Sequence, residues 1–332
     1  MTPPERTTPR APMAPTAPAS IPQGAATGLI IVGGGVMGSA VARGAVTAAL
    51  FAPARLTVVE TDPARAQAAA DEGWTTAHDA TGALAAAAPT DPVLLAVKPQ
   101  SFDAVSQSWR GKLRGRLVLS IMAGIPAARL IAQLHDQPLP ATDQTLLHPA
   151  TPPQPTQPTQ PTQPTQPIQS PGLPPRIVRI MSNTPARIGR GCTAIAPGPG
   201  ATAEDLAWCS ALCRVLGPAV IAIDEPLMDA FTGVAGSGPA YLFLLAQSMT
   251  AAAVALGLTP ADADLAVRHT LLGAAALLAQ SPETPDALRA AVTSKGGTTA
   301  AALRVFESAR FDQIVADAIT AARDRGRELS GA

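Results

Sequence analysis

The sequence predicts an α/β fold, in which a doubly wound parallel sheet is followed by an all-helical C-terminal domain. Up to about Asp224, short continuous apolar runs alternate with Ala-rich segments of helical character. A glycine-rich turn follows the first apolar run and opens a helix. Beyond Asp224 the apolar strand-like runs stop, and nearly every segment has helical character. The chain therefore divides into a sheet domain and a helical domain.

Five apolar runs are predicted to be strands of the sheet. Each run is continuous rather than alternating, as expected for parallel strands that are covered on both faces. Ala-rich segments separate several of them, so the connections are predicted helices and the series is βαβ. The predicted strands are residues 29–34, 56–60, 92–97, 117–121 and 176–181.

Two low-complexity segments interrupt this pattern. Residues 1–27 are rich in Pro, Ala and Thr and show no signal-peptide pattern, which predicts a disordered tail. Residues from about 137 to 175 contain tandem Pro-Thr-Gln repeats, which predict an extended insertion in a surface loop. A docking site for a proline-binding module is the alternative. The sheet domain is predicted to span 28–224, with the insertion inside it, and the helical domain 225–332.

Charge and composition exclude several classes of protein. Lys plus Arg and Asp plus Glu number 24 each in the 332 residues, so no net charge attracts nucleic acid or an anionic membrane. Three cysteines without a secretory signal favour reduced thiols and a cytoplasmic protein. The four histidines form no cluster with each other or with the cysteines, so no metal site is predicted.

Residues 240–258 form an uncharged run that is about long enough to span a bilayer. About half of these residues are Ala, Gly, Ser, Thr or Gln, and no basic cluster flanks the run. We interpret it as a buried helix that a partner subunit covers, because a helix that is apolar all round needs such a cover. This interpretation predicts an oligomer and no membrane association.

The glycine-rich turn predicts a dinucleotide site. Gly33, Gly35 and Gly38 satisfy G-x-G-x-x-G between a predicted strand and a predicted helix. The first glycine permits the tight turn, the second lets the backbone approach a pyrophosphate, and the third lets the helix pack against the strand. The helix start, which includes Val36 and Met37, offers N–H groups to phosphates. These features indicate a Rossmann-type site for NAD(P)H, and a turn without a ligand is the alternative.

The end of the second predicted strand bears on the choice of dinucleotide. Glu60 stands there, and an acidic side chain at this place accepts hydrogen bonds from the adenosine ribose hydroxyls and repels a 2′-phosphate. Asp62 adds negative charge, whereas Arg65 is close enough in sequence to reach a phosphate. The balance favours NAD(H) over NADP(H).

Three further loops follow strands at the carboxyl edge, where an open α/β sheet binds its ligands. Each loop combines a small or turn-forming residue with a polar group, which predicts a wall along the nicotinamide half of the cofactor. Taken singly, each is also compatible with ordinary turn chemistry. The residues are Ala96, Val97, Lys98 and Pro99 in the first loop, Ala123 and Gly124 in the second, and Asn183 in the third.

These motifs, in this order, resemble the pyrroline-5-carboxylate reductase family. The matching segments cover nearly all of 28–328 apart from the insertion, and the last two are much more specific than the glycine turn. They are GGGVMGSAVARG, LLAVKPQ, LSIMAGI, MSNTPARIGRGCTAIAPG, LGPAVIAIDEPLMDAFTGVAGSGPAYLFLL and VTSKGGTTAAALRVFE. Two residues depart from the usual family pattern: Ser182 stands where the family usually has Pro, and Lys295 where Pro is also common.

The resemblance implies an NAD(P)H-dependent reduction of the C=N bond of 1-pyrroline-5-carboxylate to give L-proline, the last step of proline biosynthesis. It also implies that the helical domain interlocks into a homodimer, with dimers often assembling further. Another imine or hydroxyacid oxidoreductase on the same scaffold and a non-catalytic dinucleotide-binding paralogue are the alternatives.

The substrate's carboxylate is predicted to bind where two helices begin. Gly296, Gly297 and Thr298 are expected to present successive N–H groups at one helix start, with Thr298 or Thr299 capping the helix. Ser237 and Gly238 are expected to form a facing wall of small residues. No side chain is assigned as a catalytic acid or base, because solvent can protonate the imine and the reaction depends mainly on placement.

Overall fold

The computed structural model describes residues 27–136 and 173–330. The predicted tail and the predicted insertion lie outside the described residues, except for their last residues, 27 and 173–175. The described chain separates into two compact units. The first contains the residues up to Gly236 together with 322–330, and the second contains Ser237–Ala321.

The first unit is built on a mixed, mostly parallel sheet. Across the described residues the strand order is β3-β2-β1-β4-β5-β6-β7-β8. The pairs from β3 through to β6 are parallel, β7 pairs antiparallel with β6, and β8 is parallel to β7. The strands are β1 (Leu29–Val32), β2 (Leu56–Val59), β3 (Thr75–Ala77), β4 (Val93–Leu95), β5 (Leu117–Ser120), β6 (Arg176–Met181), β7 (Cys192–Pro197) and β8 (Ala219–Ala222).

Helices cover both faces of this sheet, so the predicted doubly wound fold is confirmed. Along β1, Leu29 and Ile31 face one hydrophobic core, while Ile30 and Val32 face the other. Helices α1 and α6 contribute to the first core, and α3, α4 and α5 to the second. The helices of this unit's sheet region are α1 (Val36–Thr47), α2 (Pro63–Asp71), α3 (Ala80–Ala86), α4 (Phe102–Trp109), α5 (Ala127–Leu134) and α6 (Ala203–Cys213).

All five predicted strands are present, but β3, β7 and β8 were not predicted. Strand β3 has three residues, two of them threonine, and lies at the sheet edge, so it lacks the apolar run that marked the others. Strand β7 follows a turn in which Gly189 has a φ of 67°, and it reverses direction against β6. A continuous apolar run is typical of parallel strands that are covered on both faces. It therefore predicts neither the short edge strand β3 nor the antiparallel strand β7.

The C-terminal part of the described chain is helical, as predicted. A π-helical turn at Thr232–Gly236 leads from α7 into α8. Helices α8 and α9 pack against each other within the second unit. The helices are α7 (Met228–Phe231), α8 (Gly238–Ala255), α9 (Pro260–Gln280), α10 (Pro285–Ala291), α11 (Thr298–Ser308) and α12 (Phe311–Ser330).

The second unit has almost no core of its own. Within Ser237–Ala321 only Ala263 and Val267 are buried. By length and composition, the helical stretch Glu225–Ala255 contains an 18-residue window that is apolar enough to cross a bilayer, and none of that window is buried inside the chain. The run predicted to be a buried helix is therefore not covered by its own chain.

Candidate active site

The glycine turn after β1 is shaped by close backbone contacts. Gly33 has a φ of 107°, and a Cβ at this position would lie 2.7 Å from the carbonyl oxygen of Ala96. A Cβ on Gly38 would lie 2.2 Å from the carbonyl oxygen of Gly33. Only glycine fits at either place, and the first turn of α1 is thereby held against β1 and β4.

Gly35 differs from its neighbours because nothing lies within 4 Å of a Cβ built on it. It is the N-cap of α1, and its extended backbone carries no side-chain cap. The first N–H groups of a helix have no partner inside the helix, so those at Val36 and Met37 face an open space of the kind that an anion fills. The cradle therefore fits the pyrophosphate of a dinucleotide.

The carboxylate of Glu60, at the end of β2, is hydrogen-bonded by groups of its own chain. Its carboxylate accepts hydrogen bonds from the backbone N–H groups of Gly34, Thr61 and Asp62 at 3.0, 2.8 and 2.9 Å. Arg65 adds a bidentate pair at 2.9 and 3.1 Å. A carboxylate has about four lone-pair positions, so none remains for ribose hydroxyls. The expected contact between Glu60 and the ribose, on which the preference for NAD(H) rested, is not what this geometry favours.

The same contacts fix the ionisation of Glu60. Burial opposes the charged form, but the hydrogen bond from Arg65, the N–H groups of Asp62 and Gly34 and the charge of Arg65 outweigh it and lower the pKa from 4.5 to about 2. Glu60 is thus a permanent anion at neutral pH, and its partner Arg65 is held in place beside the glycine turn.

A cleft of 1050 Å³ runs from the glycine turn along α1. Gly34, Gly35 and Val36 lie at one end. Its described lining contains five cationic side chains and no acidic one. Those cations, which sequence reasoning missed except for Arg65 and Lys98, are Arg43, Arg65, Lys98, Arg187 and Arg214. They lie apart in sequence, so only the fold shows that they share a cleft. Arg43 and Arg65 are paired with Glu72 and Glu60 outside the lining, so the charge that favours an anionic ligand comes mainly from Lys98, Arg187 and Arg214.

The loop after β4 contacts the turn directly. A Cβ on Gly33 would lie 3.1 Å from a methyl carbon of Val97, and one on Gly38 would lie 3.3 Å from the Cβ of Ala96. Lys98 lines the cleft, is exposed, and precedes the 3₁₀ turn that begins at Pro99. The structure therefore brings these four predicted residues to the same edge of the sheet as the glycine turn.

The loop after β5 lies against the end of α12. Gly124 is buried with a φ of 71°, and a Cβ on it would lie 3.3 Å from the Cβ of Leu329. Ala123 beside it is exposed. The structure thus leaves Ala123 available to a ligand and covers Gly124 with the chain's own C-terminal helix.

Asn183, predicted to bind the cofactor, has both ends of its amide engaged. Its Nδ2 donates to the carbonyl of Ala235 at 3.0 Å, and its Oδ1 accepts from the N–H of Cys192 at 3.0 Å. These bonds tie the end of β6 to the start of β7 and to the π-helical turn before α8. The orientation of the side chain is therefore fixed by backbone groups, and one N–H and one lone pair of the amide are not used by these two bonds.

Ser182 has a defined partner as well. Thr193, which is fully buried, donates its hydroxyl to the Ser182 hydroxyl at 2.9 Å. Ser182 follows Met181 of β6, and Thr193 precedes Ala194, the partner of Met181 in the antiparallel strand β7. The hydroxyl that replaces the usual proline therefore joins the two strands beside Asn183.

The predicted substrate residues lie at helix starts of the second unit. Ser237 is the N-cap of α8 and makes no side-chain cap, and the space around a Cβ on Gly238 is open to 4 Å. Gly297 is the N-cap of α11 and leaves that helix start without a side-chain cap too. The expectation that Thr298 or Thr299 caps this helix is wrong, because both are its first helical residues.

The segment before α11 is a tight turn. The N–H of Gly297 donates to the carbonyl of Ser294 at 3.1 Å, and Gly296 has a φ of 72°. A positive φ at the third turn position is the mark of a type II turn, which requires glycine there and favours proline at the second position. Lys295 occupies that second position, which explains physically why proline can replace it.

A covered, mostly parallel sheet with an open glycine cradle and a basic cleft is typical of the dinucleotide-dependent oxidoreductases. Residues 28–124 match the family model for "NADP oxidoreductase coenzyme F420-dependent". Residues 225–329 match the model for "Pyrroline-5-carboxylate reductase dimerisation". The two matches fall on the sheet region and on the C-terminal helices.

Two relatives that align with most of this chain identify its family. A pyrroline-5-carboxylate reductase of Synechocystis sp. is 32% identical over 299 residues, which are 90% of this chain and 97% of that protein. One of Pseudomonas aeruginosa is 35% identical over 246 residues, 74% of this chain and 77% of that protein. The chain therefore belongs to the pyrroline-5-carboxylate reductase family and is an NAD(P)H-dependent oxidoreductase that acts on a C=N bond.

Solved structures show the same fold. The pyrroline-5-carboxylate reductase of Coxiella burnetii superimposes with a TM-score of 0.74 at 27% identity and covers 92% of this chain and 99% of its own. The enzyme of Plasmodium falciparum, solved with NADP bound, gives a TM-score of 0.70 at 22% identity, covering 92% and 98%. At that identity the second likeness supports the fold alone.

Proposed function

We propose that this chain reduces 1-pyrroline-5-carboxylate to L-proline with NAD(P)H, which binds at the glycine turn. The observation that carries the proposal is the cradle itself. Side chains are excluded at Gly33 and Gly38, while the space at Gly35 between them is open. This cradle occurs in a chain whose helices match the dimerisation model of the same family.

We assign the binding of the cofactor's pyrophosphate to backbone N–H groups. The N–H groups of Gly35, Val36 and Met37 would hold the pyrophosphate, because they start an α-helix and have no side-chain cap. Lys98 adds positive charge in the same cleft. When bound, NAD(P)H supplies the hydride. Ala96, Val97 and Pro99 form the wall beside it, and Ala123 lies exposed at the neighbouring loop.

The substrate's carboxylate is assigned to the start of α11. The turn Ser294–Gly297 leaves the first N–H groups of that helix uncapped, beginning at Thr298 and Thr299. Ser237 and Gly238 begin α8 with small residues, so a planar ring meets no large side chain there. These residues bind and orient, and the proton for the imine nitrogen comes from solvent. Holding the imine carbon at near-attack distance from the nicotinamide ring then contributes most of the rate enhancement.

We further propose that the working form is a homodimer or a larger homo-oligomer, and that its helical domain begins near Glu225. Large apolar side chains are exposed along the helices of a single chain, for example Phe243 at 69%, Leu272 at 66% and Val305 at 67%. A patch of this kind marks a surface that another chain covers. A second copy of the chain that covers α8 explains why its apolar side chains are exposed in a single chain, and no membrane is required.

We assign the enzyme to the cytoplasm, with a small-molecule substrate and no nucleic-acid partner. The support is the balanced charge of the chain and its three cysteines, of which Cys209 and Cys213 lie buried on one face of α6 with their sulfurs 4.0 Å apart.

One assay tests the reaction. Purified full-length protein is mixed with NADH or NADPH and 1-pyrroline-5-carboxylate, and dinucleotide oxidation and proline formation are followed together. A parallel reaction offers NAD(P)⁺ and a 2-hydroxy acid. Proline formation in step with oxidation supports the proposal. Hydroxyacid oxidation without imine reduction, or tight dinucleotide binding with no turnover of either substrate, contradicts it.

A further inference from the structure

Arg179 and Glu225 form an ion pair inside the sheet unit, and the proposed reaction gives neither of them a role. We infer that both are positioning residues, which hold the loop between β5 and α5 where hydride transfer requires it. The inference rests on the proposed function and deepens it, because it adds how the wall beside the nicotinamide ring is held in place.

Arg179 is a buried cation of the sheet. It pairs with Ser120, the last residue of β5, and is 5% exposed. Its Nη1 donates to Oε1 of Glu225 at 3.1 Å. A buried ion pair contributes little net stability, because both groups lose their hydration. Stability alone therefore does not account for a charge at this place, whereas a charge-assisted hydrogen bond orients the two segments that it joins.

Glu225 connects this cation to the start of α5. The same oxygen, Oε1, also accepts the backbone N–H of Ala127, the first residue of α5, at 2.7 Å. The N-cap of α5 is Pro126, which provides no side-chain cap. The first N–H groups of a helix lack partners inside the helix, and a carboxylate is favoured beside them. Glu225, 98 positions further along the chain, therefore caps α5.

The cap fixes one end of the loop that precedes α5. Residues 121–126 connect β5 to α5 and include the exposed Ala123 of the predicted nicotinamide wall. Ser120, which pairs with β4 and β6, anchors the first end of this loop, and the bond from Ala127 to Glu225 anchors the other. A misplacement of about 1 Å can slow a reaction about 100-fold, so loss of the second anchor is expected to slow hydride transfer.

Glu225 is held independently of that loop. It begins the 3₁₀ turn that precedes α7, and Met228 of α7 is 1% exposed in a core cluster with residues of β6 and β7. Asn183 donates to the carbonyl of Ala235 further along the same segment. The carboxylate is therefore a fixed point to which the start of α5 is attached.

Single-turnover kinetics of the full-length enzyme test the inference. The rate constant of dinucleotide oxidation is measured with enzyme in excess and saturating 1-pyrroline-5-carboxylate, and the dissociation constant of the dinucleotide is measured by calorimetry. Glu225→Ala removes both bonds and should lower the rate constant roughly 10- to 100-fold, while the dissociation constant and KM for the imine acid stay within about 3-fold. Glu225→Gln keeps an acceptor for the N–H of Ala127 and should lose less than about 5-fold.

Two arginine variants separate positioning from stability. Arg179→Met leaves Glu225 with one bond and should lower the rate constant about 3- to 30-fold. Arg176→Met is the matched control, because Arg176 begins the same strand, at the amino end, and pairs with Asp205 at 2.9 and 3.1 Å. It should lower the melting temperature and leave the rate constant unchanged. A single-turnover rate constant does not depend on the fraction of enzyme that is folded, and Arg179→Met provides the same test if Glu225→Ala does not fold.

Unchanged rate constants in Glu225→Ala and Arg179→Met overturn the inference and leave the proposed reaction standing. An equal loss of rate in Arg176→Met also overturns it, because a general disturbance of the sheet then explains the effect. A large rise in KM for the imine acid at an unchanged rate constant would instead make Glu225 a substrate ligand. Absence of proline formation by wild type overturns the proposed function itself.

Discussion

Asn183 joins three segments through one side chain. Both of its partners, the N–H of Cys192 and the carbonyl of Ala235, are backbone groups, and Ala235 lies two residues before Ser237. Because it acts through these segments, we regard Asn183 as a positioning residue. It differs in this respect from the role of cofactor ligand that the sequence suggested.

Asn183→Ala should therefore lower stability and impair substrate binding together. Leaving two part-buried backbone groups without partners costs about 2 kcal/mol or more. Because the π-helical turn leads into the start of α8, KM for the imine acid should rise several-fold while the dissociation constant of the dinucleotide stays within about 2-fold. Urea unfolding and steady-state kinetics measure both effects. A variant that loses only dinucleotide affinity would restore the direct cofactor role.

Glu60 makes a pH-dependent contribution to stability. Its pKa is about 2 in the folded chain against 4.5 without the fold's contacts. A depressed carboxylate pKa stabilises the fold fully above pH 4.5, and this contribution is lost as the pH falls towards 2. The difference of about 2.5 pKa units corresponds to at most roughly 3 kcal/mol.

Glu60→Gln should thus cost about 2–3 kcal/mol at pH 7, and the gap from wild type should narrow between pH 4.5 and 2. Urea unfolding at several pH values measures it. Glu72→Gln is the matched control, because the Glu72 carboxylate pairs with Arg43 in an exposed site and should cost less than about 1 kcal/mol. Equal, pH-independent losses in the two variants would show that the internal bonds of Glu60 carry no net stability.

At the scale of elements, the turn before α11 controls how that helix start is presented. Lys295 and Gly296 occupy its two central positions, and Gly296 has a φ of 72°. A side chain at this φ is strained, whereas proline at the second position of a type II turn is already restricted to the required φ.

Gly296→Ala and Lys295→Pro should consequently act in opposite directions. We expect Gly296→Ala to cost about 1 kcal/mol and to raise KM for the imine acid several-fold, since the turn that leads to the α11 N–H groups is distorted. Lys295→Pro should keep KM within about 2-fold and raise stability by up to about 1 kcal/mol. If Lys295→Pro raised KM as much as Gly296→Ala, the lysine side chain itself would be a ligand of the carboxylate.

Elements with a strong local signal were predictable from the sequence. A few adjacent residues are enough to predict the glycine turn and each strand with a continuous apolar run, namely β1, β2, β4, β5 and β6. Strand β7 pairs antiparallel with β6 across a turn. The partners of Asn183, and all partners of Glu60 except Arg65, are backbone groups, for which no residue type is required. The basic cleft joins Arg43, Arg187 and Arg214 from distant segments, so it appears only once the chain is folded.

For the whole molecule, the exposed apolar helices predict that stability depends on association. Within Ser237–Ala321 two residues are buried, so this unit cannot be stable at the level of an ordinary domain without a cover.

Replacing one exposed leucine of this unit, Leu272→Glu, should shift the protein towards monomers, lower its melting temperature and remove most activity, because a charge enters the covered surface. Leu173→Glu makes the same change at a leucine that is 74% exposed in the sheet unit, and should alter neither mass nor activity. Sedimentation velocity and thermal melts over a 100-fold range of protein concentration measure the effect. The melting temperature of wild type should rise with concentration. A monomeric wild type that is fully active and melts independently of concentration would show that the apolar helices are covered by something other than a second copy of the chain.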